Sequence, residues 1–236
     1  HALLAGGIAA SLAAAGAYWL RPSKYATEVG EVRRLPLKDG SVAEINTASS
    51  IQVSLNPDTR IIRMDQGEAW FQVAKDANRP FVVEAGQVRV RAVGTAFSVR
   101  RRQNGADVLV TEGVVETWTE GAHDKPVRLT AGEKAYVSEA DPVNRIVSAP
   151  MEIDRELAWR DGNIDLAGES LADAVAEFNR HNRRKLVIAD PAISNEPLYG
   201  VFHANDPQGF AQAVRVSLDV DVHVDDSQIL IGGKGS

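Results

Sequence analysis

Between Arg79 and Val99 the chain alternates in a way that suits an extended strand with one buried face. Val88, Val90 and Ala92 alternate with Arg89 and Arg91, the two-residue period of a half-wet β-strand. Phe97 and Val99 resume the alternation after Gly94 and Thr95. A glycine inside such a pattern marks a bulge or a close backbone approach. The threonine that follows puts a hydroxyl beside the Gly94 carbonyl. On a strained backbone that hydroxyl could attack the carbonyl, and nowhere else does the sequence suggest chemistry. The simpler reading is that Gly94 makes a bulge and Thr95 pairs across strands.

The same period recurs from Tyr25 to Val137. Strands are predicted over Val42–Ile45, Ile51–Leu55, Arg60–Met64, Ala69–Val73, Phe81–Val83, Val88–Ala92, Phe97–Arg100, Val108–Val110, Val114–Trp118 and Ala135–Val137. Turn residues separate them, among them Asp39-Gly40, Asn56-Pro57-Asp58, Gln66-Gly67, Asn104-Gly105 and Glu120-Gly121. Short strands so punctuated predict an all-β sandwich or a solenoid-like wrap. Asp39-Gly40 and Asn104-Gly105 are the best hairpin candidates, because these residues accept positive φ. Gly30, Gly67 and Gly132 each precede a glutamate. These pairs read as turn closures; the alternative, that Glu31, Glu68 and Glu133 converge as acid and base, lacks any neighbour to tune them.

With 236 residues and 44% hydrophobic content, the chain can bury one or two modest cores. A net charge of −6 argues against a nucleic-acid partner, which calls for a basic footprint. Cysteine is absent, which removes disulfides and thiol chemistry. The five histidines show no metal-ligand spacing, and no nucleophile elbow, phosphate loop or paired-carboxylate motif is present. No cofactor and no metal are expected, and no turnover enzyme.

Ala2 to Leu20 is uncharged and rich in Ala, Leu and Gly, ending in Tyr18-Trp19 before Arg21. About 20 apolar residues with an aromatic exit suit a membrane span. A cleavable signal peptide, with Ala13-Ala-Ala as an A-x-A site, and a buried Ala-rich helix are the competing readings.

The alternation fades from Ser138 to Asp161, which reads as a packing linker. Ile153 to Trp159 is either a short helix or an extended docking arm, and Trp159 an anchor in a core. From Gly162 the pattern becomes strand–helix–strand, twice. Ser170 caps the first helix, with Asp173 at the third position after it. Asp206-Pro207 opens the second. Leu171, Ala174, Val175 and Phe178 share one helical face, as do Phe210, Ala213, Val214 and Leu218. One sheet under two helices leaves an edge free to recruit a partner strand. Leu198, Tyr199 and Val201 on one strand and Ile229 and Ile231 on another are the candidate edges.

Six blocks in order carry a resemblance: Gly30-Glu-Val-Arg, Leu37-Lys-Asp-Gly-Ser-Val, Gly67-Glu-Ala-Trp-Phe-Gln-Val, Arg79-Pro-Phe-Val-Val, Val93-Gly-Thr-Ala-Phe and Glu112-Gly-Val-Val. Together they resemble the periplasmic part of the FecR family of anti-sigma factors and sigma regulators in bacterial cell-surface signalling. Residues Gly162 to Ile231, through Ser170-Leu-Ala-Asp-Ala-Val and Val201-Phe, resemble the STN domain, the short signalling module of secretins and TonB-dependent receptors. The expected fold class is therefore α+β and multidomain. It comprises a transmembrane helix over residues 1–21, an all-β unit over 22–137, a linker over 138–161 and a small α/β unit of two βαβ repeats over 162–236.

The resemblance implies a single-pass inner-membrane protein with residues after about 21 in the periplasm. Its implied partners are the signalling domain of an outer-membrane TonB-dependent transducer of siderophore or haem uptake, and intramembrane and periplasmic proteases. An extracytoplasmic-function (ECF) sigma factor would be bound through a cytoplasmic domain preceding the span. The resemblance also implies self-cleavage between Gly94 and Thr95 by an N-to-O acyl shift. A structural or carbohydrate-facing β module without signalling is the alternative reading.

Overall fold

The computed structural model describes residues 22–121, 126–140, 145–148 and 150–232. Ala2 to Leu20 lies outside them, and no helix among the described residues is long and apolar enough to cross a membrane.

Two sheets of seven strands each are built from hairpins that alternate between layers. The first has the order β1 (Ser23–Ala26), β4 (Ser50–Leu55), β5 (Arg60–Gln66), β7 (Phe81–Ala85), β8 (Val88–Ala92), β11 (Val114–Thr119), β12 (Val127–Thr130). The second runs β14 (Arg145–Ser148), β13 (Glu133–Ser138), β10 (Gly105–Glu112), β9 (Ala96–Arg102), β6 (Glu68–Gln72), β3 (Val42–Ile45), β2 (Arg33–Pro36). Neighbouring strands are antiparallel except for β5 and β7, which are parallel. Hairpins β2–β3, β9–β10 and β13–β14 lie in one layer; β4–β5, β7–β8 and β11–β12 lie in the other. The chain is thus a sandwich assembled by wrapping, which joins the two readings of the sequence.

One apolar cluster fills the space between the layers, with Ile45, Phe71, Phe97, Val99 and Val108 from one sheet and Ile51, Ile62, Phe81, Val90 and Leu129 from the other. Each such side chain contributes about 1.5–3 kcal/mol through burial. Against it lies a buried ion pair. Arg60 is fully buried, with Asp39 Oδ2 3.0 Å from Nη1. Its guanidinium also donates to the carbonyls of Arg79 at 2.7 Å and Ala74 at 2.9 Å. Its fork tethers the connection between β6 and β7.

Several turn expectations hold in detail. Gly30, Gly40, Gly67 and Gly132 all take left-handed φ, between +85° and +89°. The Asn104-Gly105 hairpin forms, but Gly105 does not use positive φ. A Cβ there would sit 2.3 Å from the Val137 carbonyl, so close approach of β13 demands the glycine. The stretch read as a linker contains β14, which extends the second sheet, followed by helix α1 (Ile153–Glu156) and a 3₁₀ turn, Ala158–Asp161.

Beyond Gly162 come β15 (Asn163–Ser170), α2 (Leu171–His181), β16 (Lys185–Ile188), β17 (Pro197–His203), α3 (Pro207–Leu218), β18 (Val222–Val224) and β19 (Gln228–Ile231). Both caps are made as expected: Ser170 Oγ accepts from Asp173 N at 3.1 Å, and Asp206 Oδ1 from Gly209 N at 2.8 Å. The strands do not form one sheet. β15 pairs antiparallel with β17, while β16 pairs parallel with β19, which also carries β18. Consecutive strands around each helix therefore belong to different sheets, and neither repeat is a βαβ unit, which needs parallel strands in one sheet. Phe178 stacks on Phe210 at 4.2 Å between centroids, and Phe202 meets Phe210 edge-on at 5.2 Å.

Candidate functional site

Gly94 and Thr95 lie in the short connection between β8 and β9, so two strands of opposite layers fix its ends. Gly94 takes φ +70°. Glycine adopts that conformation freely, so the turn by itself stores no strain. Its neighbours hold it instead. Val73 N donates to the Thr95 carbonyl at 2.8 Å. The Lys75 side chain crosses over Gly94, where a Cβ would meet Lys75 Cγ at 2.3 Å. Ala74 beside it is fixed at both ends, by Arg60 on its carbonyl and by Ser41 Oγ, which accepts from its N–H at 3.0 Å. On the other flank Gly113, at φ +77°, presses on the Thr95 side chain. The β9–β10 pairing slips here, Val110 facing Phe97 and Glu112 facing Ala96, so Thr111 is the extra residue of a bulge.

Thr95 is buried, and its Oγ1 has no hydrogen-bond partner. Leaving such a group unpaired costs about 1–3 kcal/mol. The peptide also lines an open cleft of about 440 Å³, together with Pro80, Arg91, Glu116 and Arg128. The one carboxylate of that lining, Glu116, is occupied by Arg91, whose Nε donates to it at 2.9 Å. The arrangement thus offers a free hydroxyl next to a pinned peptide, water from the cleft, and no general base. It suits an intramolecular shift.

The other candidates fall differently. Glu31, Glu68 and Glu133 each serve local partners: Arg33, then Asn46 with Arg180, then Thr130. Tyr199 and Val201 stand on the outer face of β17, 70% and 64% exposed, and β17 has β15 as its single neighbour. Leu198 points inward and is buried. Ile229 and Ile231 correct the sequence reading: β19 is the central strand of its sheet, and both side chains are fully buried. Their alternation was legible, but neither its burial on both flanks nor the parallel partner was.

Sequence reasoning missed the seam that joins the sandwich to α2. Arg180 Nη2 reaches Glu68 Oε2 at 3.0 Å and pairs as well with Glu177, whose other oxygen meets Arg100 at 3.0 Å. Thr47 Oγ1 donates to the Arg180 carbonyl at 3.1 Å and accepts from Gly30 N at 2.8 Å. Nearby, Arg160 lies 3.8 Å over the Trp70 ring and pairs with Glu44, while Trp159 is buried against Trp70 and Leu157. Burial works to raise the Glu177 pKa, but the neighbouring His181 ring and the charges of Arg180 and Arg100 outweigh it and hold the carboxyl far below its usual range. Burial works against the Arg180 charge in the same way, and Glu68 and Glu177 outweigh it, so its pKa is raised. The only trace of it in sequence is the basic run Arg180 to Lys185, which taken alone suits a solvated helix end.

No curated protein matches the sequence. Residues 23–116 match the family model described as FecR protein, which includes the Gly94–Thr95 turn. Two crystal structures, at 1.65 and 2.50 Å resolution, are of a proposed anti-sigma factor from Parabacteroides distasonis ATCC 8503. Both superpose with a TM-score of 0.74 at 21% identity, covering 90% and 91% of this chain and 100% of theirs. Sandwich and C-terminal unit together therefore follow a fold already seen in those structures, well beyond the span that the family model matches.

Proposed function

We propose that this chain is the sensing part of a membrane-anchored sigma regulator, an anti-sigma factor of cell-surface signalling. The observation that carries the reading is the FecR match over residues 23–116 set within a fold shared with proposed anti-sigma factors. In this reading the chain sits in the periplasm behind a single inner-membrane span. It receives the signalling domain of an outer-membrane TonB-dependent transducer, and stepwise proteolysis then frees a cytoplasmic domain that governs an ECF sigma factor. The outer face of β17, with Tyr199 and Val201 exposed and an unpaired edge, is the docking surface this reading favours. Binding of the purified chain to the signalling domains of its own genome's transducers tests it; no binding to any of them sinks it.

A second activity within the same reading is self-cleavage, favoured by the unpaired Thr95 hydroxyl. The Thr95 oxygen attacks the Gly94 carbonyl carbon, the Gly94–Thr95 C–N bond breaks, and the hydroxyl proton passes to the departing nitrogen. The product is an ester with a free Thr95 amine. Water from the cleft then hydrolyses the ester to a Gly94 carboxylate and restores the hydroxyl. The fragments stay together, because β8 and β9 are each paired to other strands of their sheets.

A further inference from the structure

The side chain of Thr95 carries two groups on Cβ, and where one goes fixes where the other points. Its methyl, Cγ2, is seated against Gly113: a Cβ built on Gly113 would stand 2.9 Å from Cγ2 and 3.5 Å from the Gly94 carbonyl oxygen. Real Cβ atoms do not approach a methyl carbon so closely, so the seat exists only because residue 113 has no side chain. Gly113 is itself immobilised. Its carbonyl accepts from Ala131 N at 3.0 Å, and the next turn is tied down by Gly132 N donating to the Val110 carbonyl at 2.9 Å. Threonine is stiff at χ1, with three staggered wells and little between them. A methyl lodged in a fixed seat therefore selects one well and aims the hydroxyl.

We propose that Gly113 is a positioning residue for the Thr95 nucleophile, acting through the space its missing Cβ leaves for Thr95 Cγ2. The inference rests on the self-cleavage reading above. It assigns the bulged β10–β11 corner, 18 residues along the chain from Thr95, a part in the chemistry without touching the reacting atoms. In Gly113→Ala the new methyl drives Cγ2 from its seat, χ1 turns to another well, and the oxygen is aimed elsewhere.

A general structural defect and a positioning defect make different predictions once the methyl is removed. Serine keeps the nucleophile but has no Cγ2, so nothing in Thr95→Ser can collide with an alanine at 113. The test follows appearance of the two fragments over time, by denaturing gel and intact mass, in the full chain made by cell-free translation. Four chains are compared: wild type, Gly113→Ala, Thr95→Ser, and the double variant. Gly113→Ala is expected to split on the order of 10–100-fold more slowly than wild type, the range that misplacing a reacting group costs. The double variant is expected to split at the rate of Thr95→Ser alone.

The backbone penalty of alanine at positive φ is common to both chains that carry it, so it cannot produce that difference. Equal slowing by Gly113→Ala in the threonine and serine backgrounds overturns the positioning role while leaving self-cleavage in place. Undiminished splitting in Gly113→Ala does the same. An intact wild-type chain overturns the self-cleavage reading and the inference with it.

Discussion

At the seam between the sandwich and α2, each buried carboxylate and guanidinium has a partner; at the Gly94–Thr95 turn a buried hydroxyl has none. The seam binds Glu68 to Arg180 and Asn46, and Glu177 to Arg180 and Arg100. Such clusters are satisfied throughout or they are costly, because a charge left alone in a low dielectric loses its hydration for nothing. The turn is held as firmly, yet by backbone contacts and close packing, leaving the Thr95 hydroxyl unpaired. Rigid surroundings around an unsatisfied nucleophile suit an intramolecular reaction, whereas a network of paired charges serves to fix one body against another. The difference separates a pinned turn with an unpaired hydroxyl from a seam fixed by paired charges.

The largest stability effect is expected beneath the turn. Arg60→Ala leaves Asp39 buried without its cation and frees the Ala74 and Arg79 carbonyls, a loss of about 3–5 kcal/mol by urea denaturation. If this loss exceeds the effect of any seam variant, the seat of the turn is the stiffer of the two regions.

The turn itself comes next. With Thr95→Ala as background, so that every molecule is intact, Gly94→Ala is expected to cost about 1–2 kcal/mol through its left-handed φ and its collision with Lys75. An unchanged denaturation midpoint would mean that the connection gives way easily and is not pinned.

At the seam the sharper prediction concerns pH. The folded-state pKa of Glu177 lies below its ordinary 4.5, so the ionised carboxylate contributes stability in full above that value. The contribution drains away as pH falls below it. Glu177→Gln should therefore be less stable than the parent near neutrality and lose less on acidification from about pH 5 to pH 3. Parallel pH curves for the two proteins would remove Glu177 from the account of the seam. The smallest effect belongs to the outer face of β17: Tyr199→Ser is expected to change folding stability by no more than about 0.5 kcal/mol while weakening capture of a transducer signalling domain.

How much of this was legible in the sequence depended on burial. Strands with an apolar face, such as Val88–Ala92 and Phe97–Arg100, showed their period plainly. The strands that went unread, β1, β2, β12 and β14, are the four sheet edges. Their packing is one-sided at best, and β1 and β2 bury no residue fully, so no apolar alternation was imposed on them. The C-terminal unit was legible as elements and caps but not as sheets, because pairing β15 with β17 and β16 with β19 depends on which helix face covers which strand.

The Gly94–Thr95 turn was legible for a local reason, since a glycine interrupting a strand before a threonine is a feature of neighbouring residues. Lys75, Gly113 and the unpaired state of Thr95 Oγ1 come from strands far apart in the chain and could be seen only once folded. The seam was invisible for the same reason: Glu68 and Arg180 are 112 residues apart.

Intact-mass spectrometry of the chain under denaturing conditions, beside Thr95→Ala, tests the central claim most directly. The account predicts two fragments from the wild type that meet at Gly94 and Thr95, together adding one water to the parent mass, and a single full-length mass from the variant. A single full-length mass from both would contradict it, and would leave Thr95 as a buried hydroxyl with a structural cost and no chemistry to explain it.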